Sequence, residues 1–206
     1  MDSVCAIDLY WLPLGAGGWF VRFNGRVFEW IDAKRHHREP LDLYHTALDI
    51  SVPEGRFIIE NAWPVPDRDP AARGVTIQGP VFSPALGRFR TFRYEVRRWF
   101  DGTIPDIAYA VASPQHVGHD EYQARRVLDL AASVPAHVWG RKDSHLGDMW
   151  NSNSVISWLL TAAGIPAGDI HPPEGGRAPG WAAGVLAAQR TSIPANSVTT
   201  ALVGLG

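Results

Sequence analysis

The order of elements along the chain predicts an α+β fold, with short alternating strands in the first half and well-marked helices in the second. Three observations carry that prediction. Residues 43–52 alternate, with Leu43, His45, Ala47 and Asp49 on one face and Tyr44, Thr46, Leu48 and Ile50 on the other. Pro53-Glu54-Gly55 then turns the chain back antiparallel as residues 56–61. Late in the sequence, Val155, Ile156, Leu159, Leu160 and Ala163 share one face at helical period. With 206 residues, 46% apolar and 19% charged, the chain is long and apolar enough for a substantial core.

Turn chemistry orders the remaining elements. Residues 7–14 read as a strand ending at Gly15-Ala16-Gly17-Gly18. Residues 19–23 and 26–30 flank Asn24-Gly25, a strong hairpin signal. Lys34-Arg35-His36-His37-Arg38 is a polar loop leading to Pro40 and the strand that bears His45. Residues 64–73, rich in Pro, Asp and Arg, read as irregular. Short strands resume at 75–78, 89–100 and 107–112, and helices are expected at 120–132, 153–163 and 180–190. The expectation is one domain over 1–206, a small antiparallel sheet with a packed helix, carrying an irregular insertion around 62–118.

The helix at 153–163 has the clearest boundaries. Asn151-Ser152-Asn153-Ser154 offers cap residues whose side-chain oxygens can accept from orphan amides. Gly164 and Pro166 end the helix. Ser152 therefore sits at or just before the first turn, where unpaired amides and the helix dipole favour an attacking oxygen and a developing oxyanion. Acyl transfer needs such a nucleophile and a base to take its proton, and His45 is the candidate base. Glu60, on the partner strand, is the candidate for fixing the His45 tautomer, with Asn61 as the alternative on the opposite face. The bland alternatives are a capping serine and a cross-strand His–Glu surface pair.

Asn151-Ser152-Asn153-Ser154-Val155, followed by an apolar helix and Ala163-Gly164-Ile165, resembles the nucleophile segment of circularly permuted papain-like proteins. This is the lecithin–retinol acyltransferase-like and NlpC-related group. Tyr44-His45-Thr46 through Val52, and Arg56-Phe57-Ile58-Ile59-Glu60-Asn61, match its early His strand and the strand after it. The resemblance covers residues 40–62 and 145–166. It implies an early His, a second polar residue that orients it, and a later nucleophile opening a helix packed on the sheet. The family's nucleophile is Cys, and Ser152 stands in its place. That leaves three readings: a serine enzyme, a lapsed enzyme that kept the fold, or an engineered Cys-to-Ser change.

The activity so implied is a papain-like hydrolase or acyltransferase acting on an amide, ester or thioester carbonyl through Ser152, His45 and Glu60. The alternative is an inactive papain-like module that binds a peptide, glycan or lipid in a Trp-lined groove; an interaction protein such as an effector or immunity partner is a third. Nine tryptophans are many for this length, and Trp63 and Trp150 are expected as cleft walls, with Tyr44 and Asn151 beside them. The substrate expected is a peptide, a peptidoglycan stem or a lipid-like molecule.

No metal or organic cofactor is expected. His116, His119 and Asp120 lack a third ligand set and read as a polar helix start, and the Gly-rich 15–18 lacks the Lys-Ser/Thr of a phosphate loop. Arg88, Arg90, Arg93, Arg97 and Arg98 interleave with aromatics, a pattern that fits a solvated strand face better than a site for an anionic head group or a strand of nucleic acid. Net charge of −2 gives no general attraction to nucleic acid or membranes. No apolar run approaches a membrane span, and Met1-Asp2-Ser3 lacks a basic leader, so the expected location is the cytoplasm. One cysteine, Cys5, allows no internal disulfide.

Overall fold

A computed structural model describes residues 5–14, 29, 33–35, 37–64 and 69–192. Its centre is an antiparallel sheet built on β1 (Ala6–Pro13), which pairs with β2 (Asp42–Val52) on one side. The turn at Pro53 and Glu54 leads into β3 (Gly55–Ala62), antiparallel to β2 in the register Ile50↔Phe57. The sheet continues through β5 (Arg93–Phe100) to β4 (Val75–Pro80), and on the far side of β1 it ends with β6 (Val111–Gly118). The order is β4-β5-β3-β2-β1-β6, and the short β7 (Gly176–Arg177) joins the start of β2 in parallel. Sheet and helices together make the fold α+β, as the sequence predicts.

Alternation sorts each strand between two faces. Ile7, Leu9, Trp11, Leu48, Ile50, Ile59 and Val96 point into the main core, against helices on that side. Those helices are α1 (Glu121–Leu130), α2 (Ser152–Ala162) and α3 (Trp181–Ser192). Val127 and Leu128 of α1, Ile156 and Leu159 of α2, and Ala183 and Ala187 of α3 close the same core. The opposite face carries a smaller cluster of Leu12, Ala47, Ile58 and Ile104. No helix among the described residues is long and apolar enough to cross a membrane.

Helix α2 is buried on every side from Ser152 to Leu160, so it works as a central helix between sheet and α3 rather than as an amphipathic one. Close approach is permitted by Gly184 of α3. A methyl there would lie 2.1 Å from the Ser154 carbonyl oxygen, inside any tolerable contact.

Several sequence expectations shift. The stretch 62–118, expected as an irregular insertion, supplies β4, β5 and β6 to the sheet. The 89–100 strand begins only at Arg93, because 3-10 turns occupy Leu86–Arg88 and Arg90–Phe92. At 107–112 a 3-10 turn (Ile107–Tyr109) precedes β6, which runs to Gly118. Pro114 hid that strand, yet β6 lies at the sheet edge, where a missing amide breaks no central ladder. The Gly-rich 15–18 and the Asn24-Gly25 hairpin lie outside the described residues.

Candidate active site

The site arises where two neighbouring strands part. β2 and β3 are paired from Val52↔Gly55 to Leu48↔Ile59. Beyond that point β2 stays with β1 as far as Tyr44, while Glu60, Asn61 and Ala62 follow β5. A cavity of about 380 Å³ opens at this parting, and His45, Glu60, Trp63 and Ser152 all line it. The structure thus brings Ser152 to the same cleft as His45, despite their distance in sequence.

Ser152 arrives there because its neighbours anchor the helix onset. The Asn151 Oδ1 accepts from the amides of Asn153 (2.9 Å) and Ser154 (3.3 Å), and the Asn151 amide donates to Ser154 Oγ (3.1 Å). This is a reciprocal capping box. Asn153 reaches the sheet: Thr46 Oγ1 donates to its Oδ1 (3.0 Å), and its Nδ2 donates to the Tyr44 carbonyl (2.9 Å). Ser154 Oγ donates to the Gly180 carbonyl (2.8 Å), and Ser157 Oγ to the Trp181 carbonyl (2.7 Å). Among the described residues, Ser152 Oγ alone of these polar groups has no hydrogen bond. Its amide, the first of the helix, also lacks an acceptor there.

His45 stands on β2 opposite Leu12, half-buried in the cleft wall. Burial pulls its pKa down to about 4, against the Asp106 carboxylate, which acts in the opposite direction. The ring is therefore neutral at neutral pH and able to accept a proton. Among the described residues it makes no hydrogen bond, so its tautomer is not fixed by a partner.

Glu60, expected to orient His45, is held elsewhere. Arg97 Nη1 donates to its carboxylate at 3.2 Å, and Glu60 makes no hydrogen bond to His45. Burial raises the Glu60 pKa, and Arg97 partly opposes this. Arg97 also donates to Glu95 (2.9 Å) and to the Trp63 carbonyl (2.8 Å), and Arg73 pairs with Glu95 at 2.9 Å. Hydrogen-bonded pairing of this kind is what allows four ionic groups to sit buried together.

The expected substrate-binding residues divide. Trp63 lines the cleft, half exposed, with its ring 6.2 Å from that of Trp139, which lines it too. Trp150 does not: it is wholly buried, its ring lies tilted against that of His137 with centroids 4.7 Å apart, and it borders a separate cavity of about 460 Å³. Tyr44 points into the main core, its ring lying over Gly176, so it lines no cleft wall. The Asn151 side chain is occupied in capping and in donating to the Pro179 carbonyl (2.8 Å). For Tyr44 the cause is strand alternation: successive side chains of β2 meet opposite faces, so His45 faces the cleft and Tyr44 the core.

Sequence reasoning missed Asp106, Trp139, Leu12 and Ile104 as lining residues. Asp106 has no flanking pattern to mark it, only the loop between Pro105 and Ile107. Asn61 lines the cleft, and neither polar atom of its amide has a partner among the described residues. No group of three or more metal-ligating side chains occurs among the described residues; His116 pairs instead with Asp8.

Chemically, the cleft offers a free hydroxyl at a helix onset, an unpaired amide beside it, a neutral imidazole and two carboxylates. Comparison with protein-family models, curated proteins and solved structures finds no match to this chain.

Proposed function

We propose that the chain is a hydrolase or acyltransferase of the permuted papain-like type, working through Ser152 as nucleophile and His45 as base. The observation that carries this reading is the free Ser152 Oγ. Every other polar side chain of the buried helix onset is satisfied within the protein, and this one is turned to the cleft that His45 lines. In that reading His45 takes the hydroxyl proton as Oγ attacks an amide, ester or thioester carbonyl. The Ser152 amide helps hold the oxyanion, and His45 returns the proton to the leaving group. The acyl group then passes to water or to another acceptor, such as an amine or alcohol. A peptide, a peptidoglycan stem or a lipid-like ester each fits that chemistry.

Serine needs more help than cysteine, and a base of low pKa gives a small driving force. Asp106, which favours the charged imidazole, supports His45 at the moment it gains the proton. Glu60 takes a different part from the one expected: bound to Arg97, it fixes the cleft wall.

A second reading, an inactive module binding its ligand in the same cleft, draws on the absence of a hydrogen bond between Ser152 and His45 and on the engagement of Glu60 by Arg97. A fluorophosphonate probe separates the two. The enzyme reading expects labelling of the native protein that is lost in both Ser152→Ala and His45→Ala and kept in the control Ser144→Ala, an exposed serine that does not line the cleft. Absence of labelling in the native protein favours the binding module.

A further inference from the structure

The charges around the cleft do not balance. Glu60 and Glu95 face Arg97 and Arg73, two carboxylates against two guanidinium groups. Asp106 stands outside that set. Its carboxylate lines the cleft, half exposed, and among the described residues it has no ion pair or side-chain hydrogen bond. The backbone there is left-handed, at φ 54°, an arrangement that L-residues adopt at some cost and that Asp tolerates better than most. Tyr109 donates its amide to the Asp106 carbonyl at 2.8 Å, which holds the turn.

The rest of the lining suits the same kind of ligand. Trp63 and Trp139 both line the cleft, and indole is the aromatic ring that attracts cations best. Leu12, Ile104 and Pro105 supply an apolar wall for a hydrocarbon stem. Among the described residues no Lys or Arg lines the cleft to repel a positive group.

We infer that this cleft takes an organic cation, an ammonium or guanidinium on an apolar stem, with Asp106 as its counter-charge and the Trp63–Trp139 pair as its aromatic wall. The inference takes its location from the site assigned above, and it names the class of substrate that site would accept. Asp106 is here a specificity residue as well as a charge that favours the His45 imidazolium; Ser152 and His45 remain the groups that exchange the proton.

The test is binding to the Ser152→Ala protein, so that no turnover intervenes. n-Butylammonium and the near-isosteric neutral butan-1-ol are titrated against tryptophan fluorescence and the indole proton signals of Trp63 and Trp139. The ammonium is expected to bind about tenfold more tightly than the alcohol, with a preference that shrinks as salt is added. Asp106→Asn should remove most of that preference, since Asn accepts the same left-handed backbone and keeps the side-chain shape. Equal binding of the two probes, no saturable ammonium binding, or a preference that survives Asp106→Asn would overturn the inference. Failure here leaves fluorophosphonate labelling untouched. Conversely, ammonium binding by a protein that takes no fluorophosphonate would remove the acyl-transfer reading and keep this one.

Discussion

His45 is shifted from its ordinary pKa by burial in the cleft wall, and its stability effect has a definite sign. Its pKa falls from 6.5 to about 4 on folding, so below pH 6.5 the unfolded chain binds a proton that the folded one resists. The neutral ring thus contributes stability that is complete above pH 6.5 and is lost as pH falls toward 4. A shift of this size corresponds to roughly 3 kcal/mol, and the part of the ring open to the cleft reduces it to about 2 kcal/mol. Urea unfolding of the native protein and of His45→Gln between pH 7 and 4 measures it. The native protein should lose about 2 kcal/mol more than the variant over that range, and parallel curves would mean that the ring is not desolvated. At this scale the sequence was informative about residue type and silent about surroundings. It identified His45, Ser152 and Glu60, which all reach the cleft, but nothing in the residues between 60 and 97 announced that Arg97 would claim the Glu60 carboxylate.

Element boundaries explain why Ser152 is free. Asn151 and Ser154 close the capping box, and Asn153 ties the first turn of α2 to β2. Replacing Asn151 by Ala removes the acceptor for two first-turn amides and should cost about 1–2 kcal/mol in thermal or urea unfolding. Labelling at Ser152 should fall as well, because the same cap sets its position; a variant as stable and reactive as the native protein would contradict this. The caps were legible in the sequence because they depend on residues within one turn. So was the turn at Pro53 and Glu54, which fixes the β2–β3 register. The burial of α2 on all sides was not. Its apolar stripe suggested one buried face, whereas the polar Asn153, Ser154 and Ser157 are buried too, each hydrogen-bonded to a distant segment. Those partners, near Pro179–Trp181, lie far along the chain and leave no periodic trace.

For the whole molecule, the decisive feature is that β2 and β3 separate after Leu48 and Ile59, each remaining with its other neighbour. A fully paired sheet would have closed the space now lined by both faces. On one side come Ser152 and Asn61, from α2 and the core-facing register; on the other come His45, Ala47 and Ile104. The parting is stabilised by the buried Glu60–Arg97–Glu95–Arg73 array, which anchors β3 to β5 rather than to β2. Such a divergence depends on charges from three separate strands and loops, so the alternation of any one strand cannot reveal it. The sequence supplied the fold class and the helix that reaches the cleft, and tertiary charge pairing decided where the cleft opens.

The most direct measurement is the pH dependence of iodoacetamide alkylation at position 152 in Ser152→Cys, compared with Ser152→Cys combined with His45→Ala, each followed by peptide mass. If imidazole and nucleophile work as a pair across this cleft, the single variant shows an apparent thiol pKa below the usual value of about 8.5 and reacts at pH 7 at least about tenfold faster than the double variant. Identical rates and identical pH profiles in the two proteins would contradict the pairing.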